Sequence, residues 1–147
     1  MKSVLLYIAD DGGLEARLQA ALDLTRSLGG HLHCLHANPY NAQLAVAGVT
    51  GISVMADIRE MSRELSSELR DKIEKRLADE DVSWDYREEN TEPSRGLSKN
   101  SALVDLIVLS SAGGQKDAAM PLGILGDVLF NATAPILVQP DNLKKFD

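Results

Sequence analysis

Apolar and polar positions follow two alternating regimes along this chain. Residues 3–9, Ser-Val-Leu-Leu-Tyr-Ile-Ala, are almost continuously apolar and stop at Asp10-Asp11-Gly12-Gly13. That is the pattern of a buried parallel strand closed by a turn. From Leu14 the period lengthens: Leu14, Leu18, Ala21, Leu22, Thr25 and Leu28 recur at helical spacing, and Gly29-Gly30 supplies a left-handed stop. His31–Ala37 reads as a second strand, broken by Asn38-Pro39. The opening is therefore β–α–β, with a right-handed crossover between parallel strands. Residues 38–53 are small and weakly patterned and read as a long loop.

The strongest periodicity follows. Val54, Ile58, Met61, Leu65, Leu69, Ile73 and Leu77 advance by three or four residues, which predicts one long amphipathic helix. Glu68 with Lys72 and Asp71 with Lys75 offer i,i+4 pairs on it. Val82–Glu89 alternates as a half-exposed edge strand does, and Pro93 opens a short helix to about Ser101. Leu103–Leu109 is a second apolar run, interrupted by Asp105 and closed by Ser110-Ser111-Ala112-Gly113-Gly114. Pro121–Asn131 predicts a last helix and Pro135–Gln139 a last strand. The sum is α/β: strands alternating with helices in a three-layer α/β/α sandwich.

Composition narrows the function classes. The chain has 147 residues, with 22 acidic against 15 basic side chains and a formal net charge of −7. One domain of this size buries a core without disulfide or metal staples. The acidic balance argues against a protein that grips phosphate backbones, so no nucleic-acid partner is expected. No apolar run approaches the roughly 20 residues needed to cross a bilayer, and the first residues do not resemble a signal peptide. A soluble cytoplasmic protein is the expectation.

Open parallel sheets bind ligands beyond the carboxyl ends of their strands, where the strand order reverses. Two segments end in suitable chemistry, Asp10-Asp11-Gly12-Gly13 and Ser110–Gly114. Glycine turns let backbone N–H groups approach an anion, although glycines after strands also simply make turns. Other constellations carry less. His31 and His33 point to one side of their strand, Cys34 and His36 to the other. No more than two of them share a face, short of the ligand set zinc takes, so no metal site is expected. Cys34, the one cysteine, reads as a buried inert thiol. Ser110-Ser111 lacks the context of a nucleophile elbow, so no catalytic residue is assigned.

At this point the ordered pieces resemble a known family. Val4–Ile8 with its acidic turn, Ala21-Leu22-Asp23-Leu24, Leu35–Pro39, Glu92-Pro93, Val104–Ser110 and Ala134–Val138 resemble a universal stress protein (UspA-like) domain over nearly the whole length. The resemblance implies a five-stranded parallel sheet in the order 3-2-1-4-5, of the adenine nucleotide alpha hydrolase kind. It also implies a homodimer through the last strand, Pro135 to Val138. Residues 1–147 form one such domain, and since some relatives carry two, a tandem partner domain is the other option. In nucleotide-binding relatives a stretch Gly-x2-Gly-x9-Gly-Ser/Thr holds the phosphates. Here Ser110 stands at the first glycine, Gly113 at the second, Gly123 at the third, and Ile124 replaces the hydroxyl.

By the same resemblance, Asp10 or Asp11 meets the ribose and Ala37 the adenine, with Gly12, Ser111 and Gly114 completing the candidate set. The departures point toward weak binding of ATP or AMP, with Mg²⁺ between carboxylate and phosphate. Lys116 is the only base between residues 110 and 124. The implied function is a stress-response protein binding adenine nucleotide, at most a slow ATPase. The alternative is a dimeric regulatory module whose pocket has lost its ligand.

Overall fold

A computed structural model describes residues 2–38, 52–110, 128 and 131–139, with 52–58, 110 and 139 described in secondary structure alone. The strands are β1 (Ser3–Tyr7), β2 (His31–Ala37), β3 (Ser83–Glu89), β4 (Leu106–Ser110) and β5 (Ile136–Gln139). The helices are α1 (Leu14–Leu28), α2 (Ile52–Ala78) and α3 (Pro93–Ser101). Val128 and Asn131 are helical as well, and Ala132 N donates to Val128 O at 2.8 Å. The rest of the expected last helix lies outside the described residues.

All strand pairs are parallel and the order is β3-β2-β1-β4-β5. Register divides the side chains between two faces. Val4, Leu6, Ile8, Leu32, Cys34 and Val108 pack with Leu18 and Leu22 of α1 and with Leu69, Ile73 and Leu77 of α2. Leu5, Tyr7, Leu35, Ile107 and Leu109 pack with Leu97 of α3 and with Val128. Central strands covered on both faces are why β1 and β4 read as unbroken apolar runs. Cys34 is buried and free, and burial pushes its thiol up to about 12, with the Asp85 charge adding to it.

Element boundaries moved where backbone pairing, not apolarity, decides them. The fourth strand begins at Leu106 rather than Leu103. Leu103 N and Val104 N instead donate to Asn100 O and Ser101 O, closing the turn after α3, and Leu103 is exposed. Asp105 then hooks the sheet: its N donates to Ser3 O and its Oδ2 accepts from Ser3 N, both at 2.8 Å. The first strand stops at Tyr7, although Ile8 N still donates to Leu35 O. Among the described residues the i,i+4 ion pairs are Arg70–Glu74 on α2 and Arg76 of α2 with Glu80 just beyond its end, while Lys72 reaches Asp10. Among the described residues no helix is long and apolar enough to cross a membrane.

Two glycines join α1 to β2 for different reasons. Gly29 has φ +61°, the left-handed stop of α1, with open space where a Cβ would stand. At Gly30 the conformation is ordinary, but a Cβ would lie 2.1 Å from the Lys2 carbonyl oxygen, the acceptor of His31 N. Gly29→Ala is expected to lower stability by about 1 kcal/mol. Gly30→Ala forces the two strand starts apart and is expected to cost about 3 kcal/mol. Urea unfolding of both variants checks the order; equal losses would contradict the close approach.

Candidate functional site

The sheet order reverses between β1 and β4, which pair directly with Leu6 opposite Val108. The carboxyl ends of both strands therefore lie side by side on one rim, where a doubly wound sheet takes its ligands. Ser110 ends β4 opposite Gln139. Ser111, Gly113, Gly114 and Gly123 lie outside the described residues.

The turn after β1 is shaped by a buried guanidinium. Arg17, from α1, donates from Nε to Tyr7 O at 2.8 Å and from Nη2 to Ala9 O at 3.3 Å. It meets both carboxylate oxygens of Asp11, at 3.2 and 3.0 Å. The two side chains are 1% and 3% exposed. Asp11 Oδ1 also accepts from Gly13 N at 2.7 Å, an Asx turn that supplies what the capless Gly13 cannot. Arg17 further lies over the Tyr7 ring, 5.5 Å from its centre. Burial, offset in part by Arg17, pushes the Tyr7 phenol up to about 12.

Asp10 is the opposite case. Its side chain is 74% exposed and faces Lys72 of α2 at 3.6 Å. The two adjacent acids, equivalent in the sequence, thus have separate fates: Asp11 is built into the frame and Asp10 stands at the rim. Gly12 is exposed beside them. Ala37 is buried at the end of β2, and a Cβ on Gly96 would lie 3.5 Å from its own Cβ, on the α3 side. Asn38, next in sequence, donates from its N to Glu89 O and from Nδ2 to Ser62 and Ser66 of α2 at 3.2 and 3.3 Å.

A length mismatch creates the hollow. A helix of 27 residues runs about 40 Å, whereas a strand of seven spans about 23 Å. The apolar stripe of α2 therefore outruns the sheet. Leu69, Ile73 and Leu77 are buried in the core, but Met61 and Leu65 stay 63% and 61% exposed. They overhang the β1 and β2 ends and, with Ala9, Asp10, His36, Asn38, Ser62 and Lys72, line a cavity of about 480 Å³. That volume falls in the range of small-molecule sites, apolar with a few convergent polar groups. Sequence reading placed Asp10 here and missed the α2 wall, although the stripe's excess length was its signal. Arg17 was missed too, since an arginine in an amphipathic helix reads as solvent-facing.

His36 closes the inner end of this cavity. Its Nδ1 is buried without a hydrogen bond, with Glu88 Oε1 at 3.9 Å. Burial lowers its pKa below the ordinary 6.5, and the Glu88 charge only partly offsets this.

Two predictions follow from this geometry. Arg17→Met strands the Asp11 carboxylate in the interior and is expected to cost about 3–5 kcal/mol. Adding Asp11→Asn should recover part of that loss in urea unfolding; no recovery would mean the pair does not act as a unit. His36 binds its proton less readily folded than unfolded, so its contribution is present above pH 6.5 and lost as pH falls through its folded value. His36→Gln should flatten that part of the stability profile between pH 7.5 and 5.5, and an unchanged slope would contradict it.

No protein-family model matches the chain, and no curated protein matches it. Solved structures do. Universal stress protein UspA from Lactobacillus plantarum is 13% identical with a TM-score of 0.75, over 94% of this chain and 97% of that one. A universal stress protein family member from Arabidopsis thaliana, with AMP bound, is 11% identical with a TM-score of 0.68, over 97% and 93%. The Archaeoglobus fulgidus universal stress protein in complex with dAMP is 15% identical with a TM-score of 0.54, over 95% and 98%. The five-stranded parallel sheet and its flanking helices are, in this chain, the fold of the universal stress proteins.

Proposed function

We propose that this chain is a universal stress protein domain that binds an adenine nucleotide weakly at the rim between the turns after β1 and β4. The observation that carries the reading is the cavity beneath the overhanging α2 stripe, with the exposed carboxylate of Asp10, held only by its surface pair with Lys72, at the strand-order reversal. Proteins of the same fold hold AMP and dAMP.

In this reading Met61 and Leu65 cover the base, which enters beside Ala37 and Asn38. Asp10 accepts from the ribose hydroxyls. Asp11, fully engaged by Arg17, serves by holding the Gly12 turn in place. Gly12, Ser110, Ser111, Gly113, Gly114 and Gly123 surround the phosphates, with Mg²⁺ offsetting the neighbouring acidic charge. Weakness comes from chemistry: Ile124 offers no hydroxyl, and a lost phosphate hydrogen bond costs about 1–3 kcal/mol. The protein works in the cytoplasm as a sensor or store of nucleotide, with no catalytic residue assigned.

A homodimer through β5 completes the proposal. β5 is an outer strand of the sheet and Val138 is exposed on it; such an edge recruits a second strand unless it is covered. The tandem-domain arrangement would cover the same edge from within a longer chain.

Thermal melts with AMP, ADP and ATP, each with and without Mg²⁺, test the reading. A ligand at ten times its Kd should raise the melting temperature by about 3–5 °C. Asp10→Ala should abolish most of that rise while leaving the ligand-free melt nearly unchanged, because its exposed pair with Lys72 contributes little. No stabilisation at millimolar nucleotide would overturn the proposal in favour of a dimeric regulatory module with an empty pocket.

A further inference from the structure

On the opposite face of the sheet, away from the nucleotide cavity, the structure assembles three metal-ligating side chains. We propose that His31, His33 and Asp85 bind one divalent transition-metal ion of the zinc and copper class, fastening the edge strand β3 to β2.

Parallel register sets His31 opposite Ser83 and His33 opposite Asp85. All four side chains project on the α3 side, and α3 is too short to cover this end, so the three ligands stay only part-buried. Asp85 Oδ2 contacts His31 Nε2 at 2.8 Å and His33 Nδ1 at 2.7 Å. The imidazole rings stand 4.5 Å apart, tilted by 60°. One atom from each of the three residues lies within 4.8 Å of the others. Two histidines on one strand fall short of a site; the third ligand comes from the neighbouring strand, where a reading of β2 alone cannot find it.

The chemistry suits a borderline metal. Two imidazole nitrogens and a carboxylate favour Zn²⁺ or Cu²⁺ over Mg²⁺ or Ca²⁺, which prefer all-oxygen cages. In tetrahedral coordination at about 2.0–2.1 Å, ligand atoms stand about 3.3 Å apart. The two short Asp85 contacts therefore open by about half an ångström as the ion enters. Each ring must present a lone pair to the ion, so His31 carries its proton on Nδ1 and His33 on Nε2 in the metal-bound state, whichever nitrogen faces Asp85 as a donor beforehand. Ser83 Oγ sits 2.8 Å from that Nδ1, and a hydroxyl both donates and accepts, so it holds either tautomer. A cavity of about 60 Å³, lined in part by His33 and Asp85, adjoins the cluster and has room for the water that completes the shell. Arg87, on the same wall, is turned away to Asn100 Oδ1 at 3.0 Å. The net charge of −7 favours cation capture generally.

The test uses the whole chain without an affinity tag, stripped with EDTA and titrated with ZnCl₂. Calorimetry should show one ion per chain. Because the chain has three histidines, imidazole NMR signals assign the site: His31 and His33 should shift on Zn²⁺ addition, and His36 should not. His33→Gln and Asp85→Asn should each lower affinity by about 100-fold, and Ser83→Ala by about 10-fold. Circular dichroism against the EDTA-treated parent verifies that the variants fold. The proposal is overturned if millimolar Zn²⁺ leaves the His31 and His33 signals in place, or if folded His33→Gln and Asp85→Asn bind as the parent does. In either case the trio is a hydrogen-bonded cluster and nothing more.

Discussion

The contact between Arg17 and Asp11 sits where the chain must turn from the central strand into its first helix. A carboxylate and a guanidinium are both withdrawn from water there, which is tolerable only because nearly every polar atom finds a partner. The guanidinium takes two backbone carbonyls besides the acid, and the acid takes a backbone amide besides the arginine. Buried pairs of this kind contribute little net stability over an apolar substitute, but they penalise any other arrangement of the same residues. The conformation of residues 9–13 is thereby specified, and with it the direction in which Asp10 projects. Removing that constraint would leave the rim carboxylate without a defined position.

The second organising fact is geometric. Sheet and covering helix are unequal in length, so one end of α2 has core beneath it and the other has none. Leu69, Ile73 and Leu77 meet Leu32, Cys34 and the other side chains of that core, while Met61 and Leu65 meet a cavity. One continuous stripe therefore serves two purposes. Asn38 ties the junction between them, reaching Ser62 and Ser66 from the end of β2.

Much of this was legible from the residues in order. Strand and helix types followed from the two hydrophobic periods, and the β–α alternation implied a parallel sheet. What was not legible depended on partners distant in sequence. Leu103 and Val104 are as apolar as their neighbours, and only the pairing of Asp105 with Ser3 shows where the fourth strand begins. Asp10 and Asp11 differ by one position, and the arginine that separates their roles lies in the next element. The α2 stripe read as one continuous amphipathic face, because periodicity reports a face, not what lies opposite it. Asp85 was one polar alternate on an edge strand until register set it beside His33.

A helix anchored at one end and overhanging at the other has a graded local stability. Its sheet-backed turns open only with the core, whereas the turns that carry the exposed Met61 and Leu65 open at lower cost. Any molecule that fills the hollow shields Met61 and Leu65 from water, so occupancy is converted into helical order within a single element. Filled and vacant forms would then differ in order along the turns that carry Met61 and Leu65, so the state of the hollow is legible from outside it.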